Sequence, residues 1–302
     1  MAEVIVPAVT IFDKDGKPDL KGNEKVIDFL IDNGVDGILV MGSNGEFPNI
    51  SNEMRLNYLN FYQQYVDSRV KLIAGTGCMN YADTVAMTKA VSQMNFDAVL
   101  VIEPYYFAMS QEEIFLYYDR LANDVLNKIL IYNFPARSGV SIDLNTIKRL
   151  SEEHPNIVGM KDSIVTPTHT SMILHAVDTT KFKVYSGFDD QFLLNISNGG
   201  QGCIGALANI VPDIWSKLIL SANKHDFNNT FYLAGLINRL SQLYSWVANP
   251  AVLIKQLMIH RGLSIQSTGI FPFELVDQKT LQRSEDLLDE ILREFHQITF
   301  NA

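Results

Sequence analysis

Eight short apolar runs recur along this chain and constrain its fold more than any other feature of the sequence. They lie at 4–12, 37–41, 70–77, 98–102, 128–133, 157–161, 182–188 and 202–207. Several are continuously apolar rather than alternating, as expected of parallel strands that are covered on both faces. Amphipathic segments with helical periodicity lie between them, at 19–33, 51–66, 82–94, 111–124, 142–153, 166–177 and 211–222. The pattern predicts an α/β fold in which strands and helices alternate.

Strand–helix units in this number favour one architecture. Right-handed crossovers between eight such units close the sheet on itself, which predicts a (β/α)₈ TIM barrel, with a doubly wound open sheet as the alternative. A chain of 302 residues suits a single barrel. After residue 224 only helical patterns remain, at 226–247, 250–262 and 277–299. We therefore predict a barrel in residues 1–224 and a helical C-terminal extension in residues 225–302 that packs on it.

Composition excludes several classes of function. The formal net charge is −10, which disfavours general binding to nucleic acid or to an anionic membrane. No apolar run approaches the ~18 residues that a membrane-spanning helix needs, and Glu3 and Pro7 interrupt the apolar N-terminus where a signal peptide would need its core. With only Cys78 and Cys203, the chain suits a reducing compartment. We predict a cytoplasmic protein.

The predicted strand ends are rich in chemically active residues. Catalytic groups of a barrel come from the C-terminal ends of its strands, and here these ends carry "GSNGE" (42–46), "EPYYF" (103–107), "YNFPARSG" (132–139), Lys161 and "GFDD" (187–190). A lysine held between apolar walls is disfavoured in its charged form, and its neutral amine attacks a ketone to form a Schiff base. Judged by its position alone, Lys161 is more often a solvated or phosphate-binding charge.

Other strand-end residues suit the same chemistry. Tyr132 has two interpretations: its hydroxyl shuttles protons, or its ring packs in the core. In the first case, Ser43 and Tyr106 would extend the relay. The backbone of the 42–45 loop suits a small carboxylate, although such loops are often plain turns. The Arg137 guanidinium has the geometry to bind a second carboxylate through two hydrogen bonds, and the alternative is that it forms a surface ion pair.

Two further patterns bear on ligands. "NGGQGCIGA" (198–206) suits either a phosphate cradle or close helix packing. The six histidines lack the tight spacing of metal-binding motifs, so the sequence predicts an enzyme without a metal ion or other cofactor.

Taken in order, "GSNGE", "PYY", "YNFPARSG", "GMKDS" and "GFDD" match the landmarks of one known group. The chain resembles, essentially end to end, the dihydrodipicolinate synthase and N-acetylneuraminate lyase superfamily of pyruvate-dependent class I aldolases. The resemblance implies a cofactor-independent barrel enzyme that binds pyruvate and a small aldehyde or keto acid. It also implies a homo-oligomer, commonly a tetramer built as a dimer of dimers.

The resemblance assigns roles to individual residues. It implies that Lys161 forms the Schiff base and that Tyr132 assists imine formation and then moves a proton to or from the substrate. Ser43 and Tyr106 match the relay, and Tyr106 would come from the neighbouring subunit. The implied substrate-binding residues are Ser43 and Asn44 for the pyruvate carboxylate, Ile204 through its carbonyl near the lysine, Arg137, and Gly187, Asp189 and Asp190 after the seventh strand.

The motifs are most similar to those of members that cleave 2-keto-3-deoxy sugar acids, which implies a lyase producing pyruvate and an aldehyde. Arg137 instead matches the arginine with which dihydrodipicolinate synthases bind aspartate semialdehyde, and Asn44 stands where synthases and lyases usually have threonine. A dihydrodipicolinate synthase and an N-acetylneuraminate lyase are therefore alternatives. A ligand-sensing barrel without catalysis is disfavoured, because a sensor need not keep Lys161, Tyr132 and Tyr106 together.

Overall fold

A computed structural model of the chain describes residues 1–273 and 276–298. Eight parallel strands follow one another in sequence order around a closed barrel, and the last strand pairs with the first. The strands are β1 (Glu3–Pro7), β2 (Gly37–Val40), β3 (Lys71–Gly75), β4 (Ala98–Ile102), β5 (Ile129–Asn133), β6 (Ile157–Asp162), β7 (Lys183–Ser186) and β8 (Gly202–Cys203). The predicted (β/α)₈ barrel is confirmed, and the open-sheet alternative is wrong.

The helices cover the outside of the barrel and form the C-terminal part of the chain. They are α1 (Leu20–Asp32), α2 (Asn52–Val66), α3 (Tyr81–Val91), α4 (Gln111–Asp124), α5 (Pro135–Ser138), α6 (Leu144–Glu153), α7 (Pro167–Ala176), α8 (Phe192–Ser197), α9 (Pro212–Asn223), α10 (Phe227–Leu240), α11 (Ala251–His260) and α12 (Gln278–His296). The apolar pattern predicts neither α5 nor α8, because 4 and 6 residues are too few to show a helical period.

One irregularity in the barrel decides which residues face its interior. Ile129 of β5 pairs with Ile157 of β6, whereas Leu130 pairs with Gly159, so β6 gains an extra residue at this point. Beyond it, Tyr132 pairs with Lys161. Successive side chains of a strand point to opposite faces, so a shift of one residue exchanges the inner and outer sets. Without the extra residue, Lys161 would face the helices instead of the barrel interior.

The C-terminal helices pack on the barrel and on each other. Helix α10 packs on α9, and α12 packs against α10 and α11. The predicted division after residue 224 falls in the connection between α9 and α10. Residues 274, 275 and 299–302 of the predicted extension, including the predicted helix end at 299, lie outside the described residues. None of the described helices is long and apolar enough to cross a membrane.

A buried ion pair joins the extension to the loop after β2. Lys255 of α11 lies 2.6 Å from Glu46, and the two side chains are 0% and 1% exposed. The Lys255 ammonium also donates to the Thr268 carbonyl at 2.9 Å, and the second Glu46 oxygen accepts from the Ile270 amide at 3.2 Å. Burial lowers the pKa of Lys255, and the Glu46 carboxylate opposes that shift. Each of these two buried charges therefore has a partner of opposite charge and a hydrogen bond to the backbone.

We predict that breaking this ion pair destabilises the protein strongly. Lys255→Met leaves the Glu46 carboxylate buried without its cation, and such a loss typically costs about 3–5 kcal/mol. The double variant Glu46→Gln/Lys255→Met removes both charges and should lose distinctly less. Urea unfolding of the wild type and of the two variants measures the free energy of unfolding of each protein.

The matched control is Lys148→Met, which breaks an exposed i,i+4 pair with Glu152 and should cost about 1 kcal/mol or less. A Lys255→Met protein as stable as this control, or a double variant as unstable as the single one, would contradict the prediction.

Candidate active site

Lys161 and Tyr132 lie side by side at the C-terminal ends of β6 and β5. Their side chains are almost fully buried, at 5% and 4% exposure. The two residues are register partners, and the Lys161 ammonium nitrogen lies 4.7 Å from the centre of the Tyr132 ring. The outward-facing residues that follow them, Asn133 and Asp162, bond to each other behind the strands. A primary amine and a phenol thus share one buried space at the end of the barrel where barrel enzymes react.

A serine hydroxyl extends this pair toward the loop after β2. The Ser43 hydroxyl lies 3.4 Å from the Tyr132 hydroxyl, and either atom can donate. Ser43 is half-buried and begins a short 3₁₀ helix, Ser43–Gly45. The structure therefore brings Ser43 and Tyr132 together, as the sequence analysis expects, with their hydroxyl groups within hydrogen-bonding distance.

The loop that carries Ser43 and Asn44 is held in a strained conformation. Met41 and Glu46 flank it, with φ angles of 59° and 57°. Left-handed backbone at a residue other than glycine costs on the order of 1–3 kcal/mol and persists only where surrounding contacts enforce it. Here the Thr10 hydroxyl donates to the Gly45 carbonyl at 2.9 Å, and Lys255 holds Glu46. The loop is fixed from the barrel on one side and from the extension on the other.

Asp189, which the sequence predicts to bind substrate, is committed to contacts within the protein. It is 1% exposed, and its carboxylate accepts hydrogen bonds from the Tyr244 hydroxyl and from the Leu207 amide. Burial raises the pKa of Asp189 to about 6, while Tyr244, Leu207 and the charge of Lys161 oppose the rise. Asp189 therefore connects the extension to the neighbourhood of Lys161 rather than presenting a free carboxylate to the solvent.

The other predicted residues after β7 lie in different environments. Asp190 is exposed. Gly187 is half-buried and donates its amide to the Asp162 carbonyl at 2.7 Å. A β-carbon at position 187 would lie 1.8 Å from the Ser163 hydroxyl oxygen, so only glycine fits. Gly187 thus shapes the strand ends beside Lys161, and Asp190 is the exposed residue of this group.

Arg137 lies at the rim of the site. It is exposed, its guanidinium lies 5.8 Å above the Phe134 ring, and it donates to the Ala248 carbonyl at 3.4 Å. Phe134 in turn stacks on Tyr132 with ring centres 5.6 Å apart. The Phe134 ring therefore lies between Arg137 and Tyr132, and Arg137 is accessible to a ligand.

Close packing explains the glycine-rich stretch around β8, residues 198–206. Gly202 has a φ of 136°, and a β-carbon there would lie 2.0 Å from the Glu3 carbonyl oxygen. Its amide already donates to the Asn195 side chain at 2.9 Å. Ile204, predicted to approach Lys161 through its carbonyl, is fully buried and donates its amide to the Ser186 carbonyl at 2.9 Å. The close-packing interpretation of "NGGQGCIGA" therefore fits better than a phosphate cradle.

Tyr106 does not join the cluster within one subunit. It is 77% exposed, as is Phe107, and the two rings pack against each other with centres 5.0 Å apart.

Within the described ranges, no group of three His, Cys, Asp or Glu side chains is arranged to hold a metal ion.

The sequence gives little indication of three polar residues near the site, of which Lys255 is buried and Tyr244 and His169 are half-buried. Lys255 and Tyr244 lie in helical patterns, where a single polar residue gives no sign that it is buried. The spacing of the histidines in the sequence bears only on metal binding, whereas in the structure His169 of α7 contacts the Asp162 carboxylate at 3.0 Å. The one indication of the His169–Asp162 contact in the sequence is the position of Asp162, which directly follows Lys161 at the end of a buried strand.

Comparisons with known proteins agree with this geometry. The sequence profile of the Dihydrodipicolinate synthetase family matches residues 1–291. The chain is 29% identical over 290 residues to the Escherichia coli (strain K12) protein named "Putative 2-dehydro-3-deoxy-D-gluconate aldolase YagE", covering 95% of this chain and 96% of that one. It is 30% identical over 294 residues to the 4-hydroxy-tetrahydrodipicolinate synthase of Hydrogenobaculum sp. (strain Y04AAS1), covering 97% and 98%.

Solved structures give the same picture. The crystal structure of YagE from E. coli K12 in complex with pyruvate matches with a TM-score of 0.93 at 29% identity, over 97% of this chain and 99% of that one. The dihydrodipicolinate synthase of Aquifex aeolicus matches with a TM-score of 0.89 at 28% identity, over 100% of both chains.

A buried lysine beside a tyrosine at the C-terminal end of a barrel is the arrangement of a lysine-dependent, class I aldolase. The chain belongs to the dihydrodipicolinate synthetase family, whose members are lyases that act through a lysine Schiff base. The resemblance predicted from the sequence motifs is confirmed.

We predict that Tyr244→Phe destabilises the protein more at about pH 8 than at about pH 5. Because the folded-state pKa of Asp189 is raised to about 6, its contribution favours folding at low pH and is lost as pH rises through that value. At pH 8 the variant leaves a buried carboxylate without its hydroxyl donor, which should cost about 1–2 kcal/mol more than at pH 5. Urea unfolding at both pH values measures this.

Tyr58→Phe is the control for a buried tyrosine whose partner does not titrate, because the Tyr58 hydroxyl donates to the neutral Asn23 side chain. Its cost should be the same at both pH values. An equally pH-independent cost for Tyr244→Phe would argue against the predicted role of the Asp189 contact.

Proposed function

We propose that this enzyme cleaves a 2-keto-3-deoxy sugar acid to pyruvate and an aldehyde, with Lys161 as the Schiff-base residue. The observation that supports this most directly is the buried pair of Lys161 and Tyr132, with the ammonium nitrogen 4.7 Å from the ring centre. The family's chemistry requires an amine and an acid–base group in one water-poor space, and this pair supplies both. YagE, named as a gluconate-type aldolase and solved with pyruvate, supports the choice of substrate class.

The proposed reaction starts at the keto group of the substrate. The neutral Lys161 amine attacks C2, and the Tyr132 phenol gives its proton to the departing hydroxyl, so that water leaves and a protonated imine forms beside the Tyr132 phenolate. Tyr132 takes the proton from the C4 hydroxyl, the C3–C4 bond breaks, and its electron pair moves toward the imine nitrogen to give an enamine as the aldehyde departs. C3 then regains a proton from Tyr132. Water hydrolyses the imine, which releases pyruvate and frees Lys161.

The loop after β2 is the proposed carboxylate site. The amides of Gly45 and Glu46 donate within the loop, to the Gly42 and Ser43 carbonyls. We therefore assign the carboxylate of the keto acid to Ser43 and Asn44. Ser43 then acts twice, because its hydroxyl also lies within reach of Tyr132. The Ile204 carbonyl is assigned a place near the imine, as the family resemblance implies.

The distal part of the substrate would be recognised at the rim. Asp189 is occupied by Tyr244 and Leu207, so the exposed Asp190 is the better candidate for binding substrate hydroxyls. The alternative function, condensation of pyruvate with aspartate semialdehyde, is favoured by one observation. Arg137 is an accessible guanidinium at the rim, and the Hydrogenobaculum relative is named as such a synthase.

We also propose that the active enzyme is a homotetramer built from dimers in the cytoplasm. Two neighbouring aromatic side chains, Tyr106 and Phe107, are each 77% exposed, and exposed aromatic patches often mark protein interfaces. In a dimer, the partner subunit's Tyr106 would complete the hydroxyl relay. The cytoplasmic assignment is supported by Cys78 and Cys203, both of which are free thiols.

Borohydride trapping tests the proposed function. Pyruvate plus borohydride should label Lys161, because its amine lies beside an acid–base group, and should leave Lys255 unlabelled, because that equally buried amine is bound to Glu46. Peptide mass analysis identifies the labelled lysine. An adduct on another lysine, or none, would refute the assignment.

Lys161→Ala should abolish labelling and turnover while keeping the fold. The matched control is Lys128→Ala, which removes an exposed lysine just before β5, at the opposite end of the barrel, and should change neither.

The choice between the two substrates depends on Arg137. If aspartate semialdehyde binds through its carboxylate, Arg137→Leu should lower kcat/KM for the synthase reaction by about 10- to 150-fold, the typical loss for a charge-assisted contact. Cleavage of a 2-keto-3-deoxy sugar acid should fall much less, because a polyhydroxylated aldehyde has no second carboxylate. Measuring kcat/KM for both reactions decides the matter.

Arg120→Leu, which removes an exposed arginine of α4, controls for the lost surface charge. An equal fall in both reactions, or a larger fall in sugar-acid cleavage, would show that Arg137 has another role.

A further inference from the structure

The residues that follow the reactive pair are bonded to each other across the same two strands. Asn133 follows Tyr132 in β5, Asp162 follows Lys161 in β6, and the two are register partners. The Asn133 amide donates to one Asp162 oxygen at 2.7 Å. Because side chains alternate along a strand, this contact lies on the outer face of the barrel, directly behind the two residues that face the site.

Each of these two side chains is anchored in the helical layer. The second Asp162 oxygen accepts from the Thr170 hydroxyl at 2.6 Å and contacts His169 Nδ1 at 3.0 Å. The Asn133 side-chain oxygen accepts from the Ile142 amide at 3.1 Å. Asp162 is 0% exposed, so these partners compensate a carboxylate that water cannot reach.

The geometry also determines the charge of the histidine. His169 Nε2 lies 3.0 Å from the Ile142 carbonyl, which only accepts hydrogen bonds, so Nε2 carries a proton. Nδ1 faces the Asp162 carboxylate. Burial lowers the pKa of His169, but Asp162, with help from the Ile142 carbonyl and Asp143, outweighs burial and raises it. Both ring nitrogens of His169 therefore face oxygen atoms that accept hydrogen bonds, an arrangement that favours the imidazolium form.

We propose that Asn133, Asp162 and His169 are positioning residues that lock β5 to β6 and so hold the Lys161 amine against Tyr132. The three are called the cross-strand clamp below. This role rests on the proposed function, because it concerns the geometry of imine formation at Lys161.

The need for such a clamp follows from the irregular pairing of β5 and β6. The extra residue near Gly159 puts Lys161 on the inner face, and pairing shifted by one residue would turn it outward. Smaller errors also matter, because a misplacement of about 1 Å in a reacting group can cost ~100-fold in rate. Side chains that lock the register one residue beyond the reactive pair restrain the position of both groups.

The single variant Asp162→Asn tests the clamp without changing size. An amide cannot accept from all the donors that the carboxylate accepts from, so at least one contact becomes unfavourable. We expect kcat and the rate of pyruvate–borohydride labelling at Lys161 to fall about 10- to 100-fold. A wild-type labelling rate in Asp162→Asn would overturn the proposal.

The double variant Asn133→Asp/Asp162→Asn exchanges the two side chains and restores the donor–acceptor match between β5 and β6, with the negative charge moved from β6 to β5. The amide now at position 162 donates across the strands and accepts from Thr170 and His169, while the carboxylate at 133 accepts from it and from the Ile142 amide. The labelling rate should return to within about threefold of wild type, since the coupled pair is repaired. Recovery of the melting temperature without recovery of the rate would overturn the positioning role and leave only a structural one.

Titration of His169 by NMR on histidine-labelled protein tests the ion pair itself, whether or not the enzyme turns over. The pKa of His169 should fall in Asp162→Asn, and an unchanged pKa would overturn the ion pair. The two proposals fail in different ways. Absence of any pyruvate adduct in the wild type overturns the proposed function together with the positioning role, whereas normal wild-type labelling with undiminished labelling in Asp162→Asn overturns the clamp alone.

Discussion

The structure depends on one geometric constraint, which is that neighbouring residues of a barrel strand point to opposite sides of the sheet. At the ends of β5 and β6, this rule places one residue of each strand in the site and the next residue against the helices. Tyr132 and Lys161 face the site, and Asn133 and Asp162 face the helices. The groups proposed to react and the groups proposed to hold them are therefore neighbours in the sequence. The register of the two strands decides which residue of each pair faces the site and which faces the helices.

The C-terminal extension takes part in the same arrangement through two contacts that are buried near the barrel mouth. Lys255 binds Glu46 behind the strained loop of Ser43, and Tyr244 binds Asp189 beside Lys161. A buried ion pair adds little net stability over an apolar replacement, yet losing one partner is costly. We therefore expect these contacts to select one arrangement of the loop more than they add to the total stability, and through them the extension supports the residues around the candidate site.

Much of the fold could be predicted from the sequence, because its causes are local. Apolar runs gave every strand, and the long amphipathic segments gave all helices except α5 and α8. The motif order gave the family. The extra residue in β6, the Lys255–Glu46 pair and the Tyr244–Asp189 contact were not predictable in this way, since each depends on side chains that meet only after the barrel closes. Asp189 shows the consequence, because its place in "GFDD" predicts a substrate ligand and its tertiary contacts occupy it.

The same distinction explains why reaction class is easier to infer than substrate. The groups assigned to imine chemistry are buried, and neighbouring contacts fix them, so their identity and their geometry point to one kind of step. Arg137 and Asp190, which are assigned to the distal part of the substrate, are exposed in the connections that follow β5 and β7 at the rim, Arg137 in the short helix α5 and Asp190 in a 3₁₀ turn. Loop residues at a barrel mouth change with little cost to the core, which is how one barrel framework serves many substrates. Specificity within this family is therefore expected to reside in the rim, while the proposed roles of the Lys161–Tyr132 pair and of the contacts behind it concern the imine step that all its substrates would share.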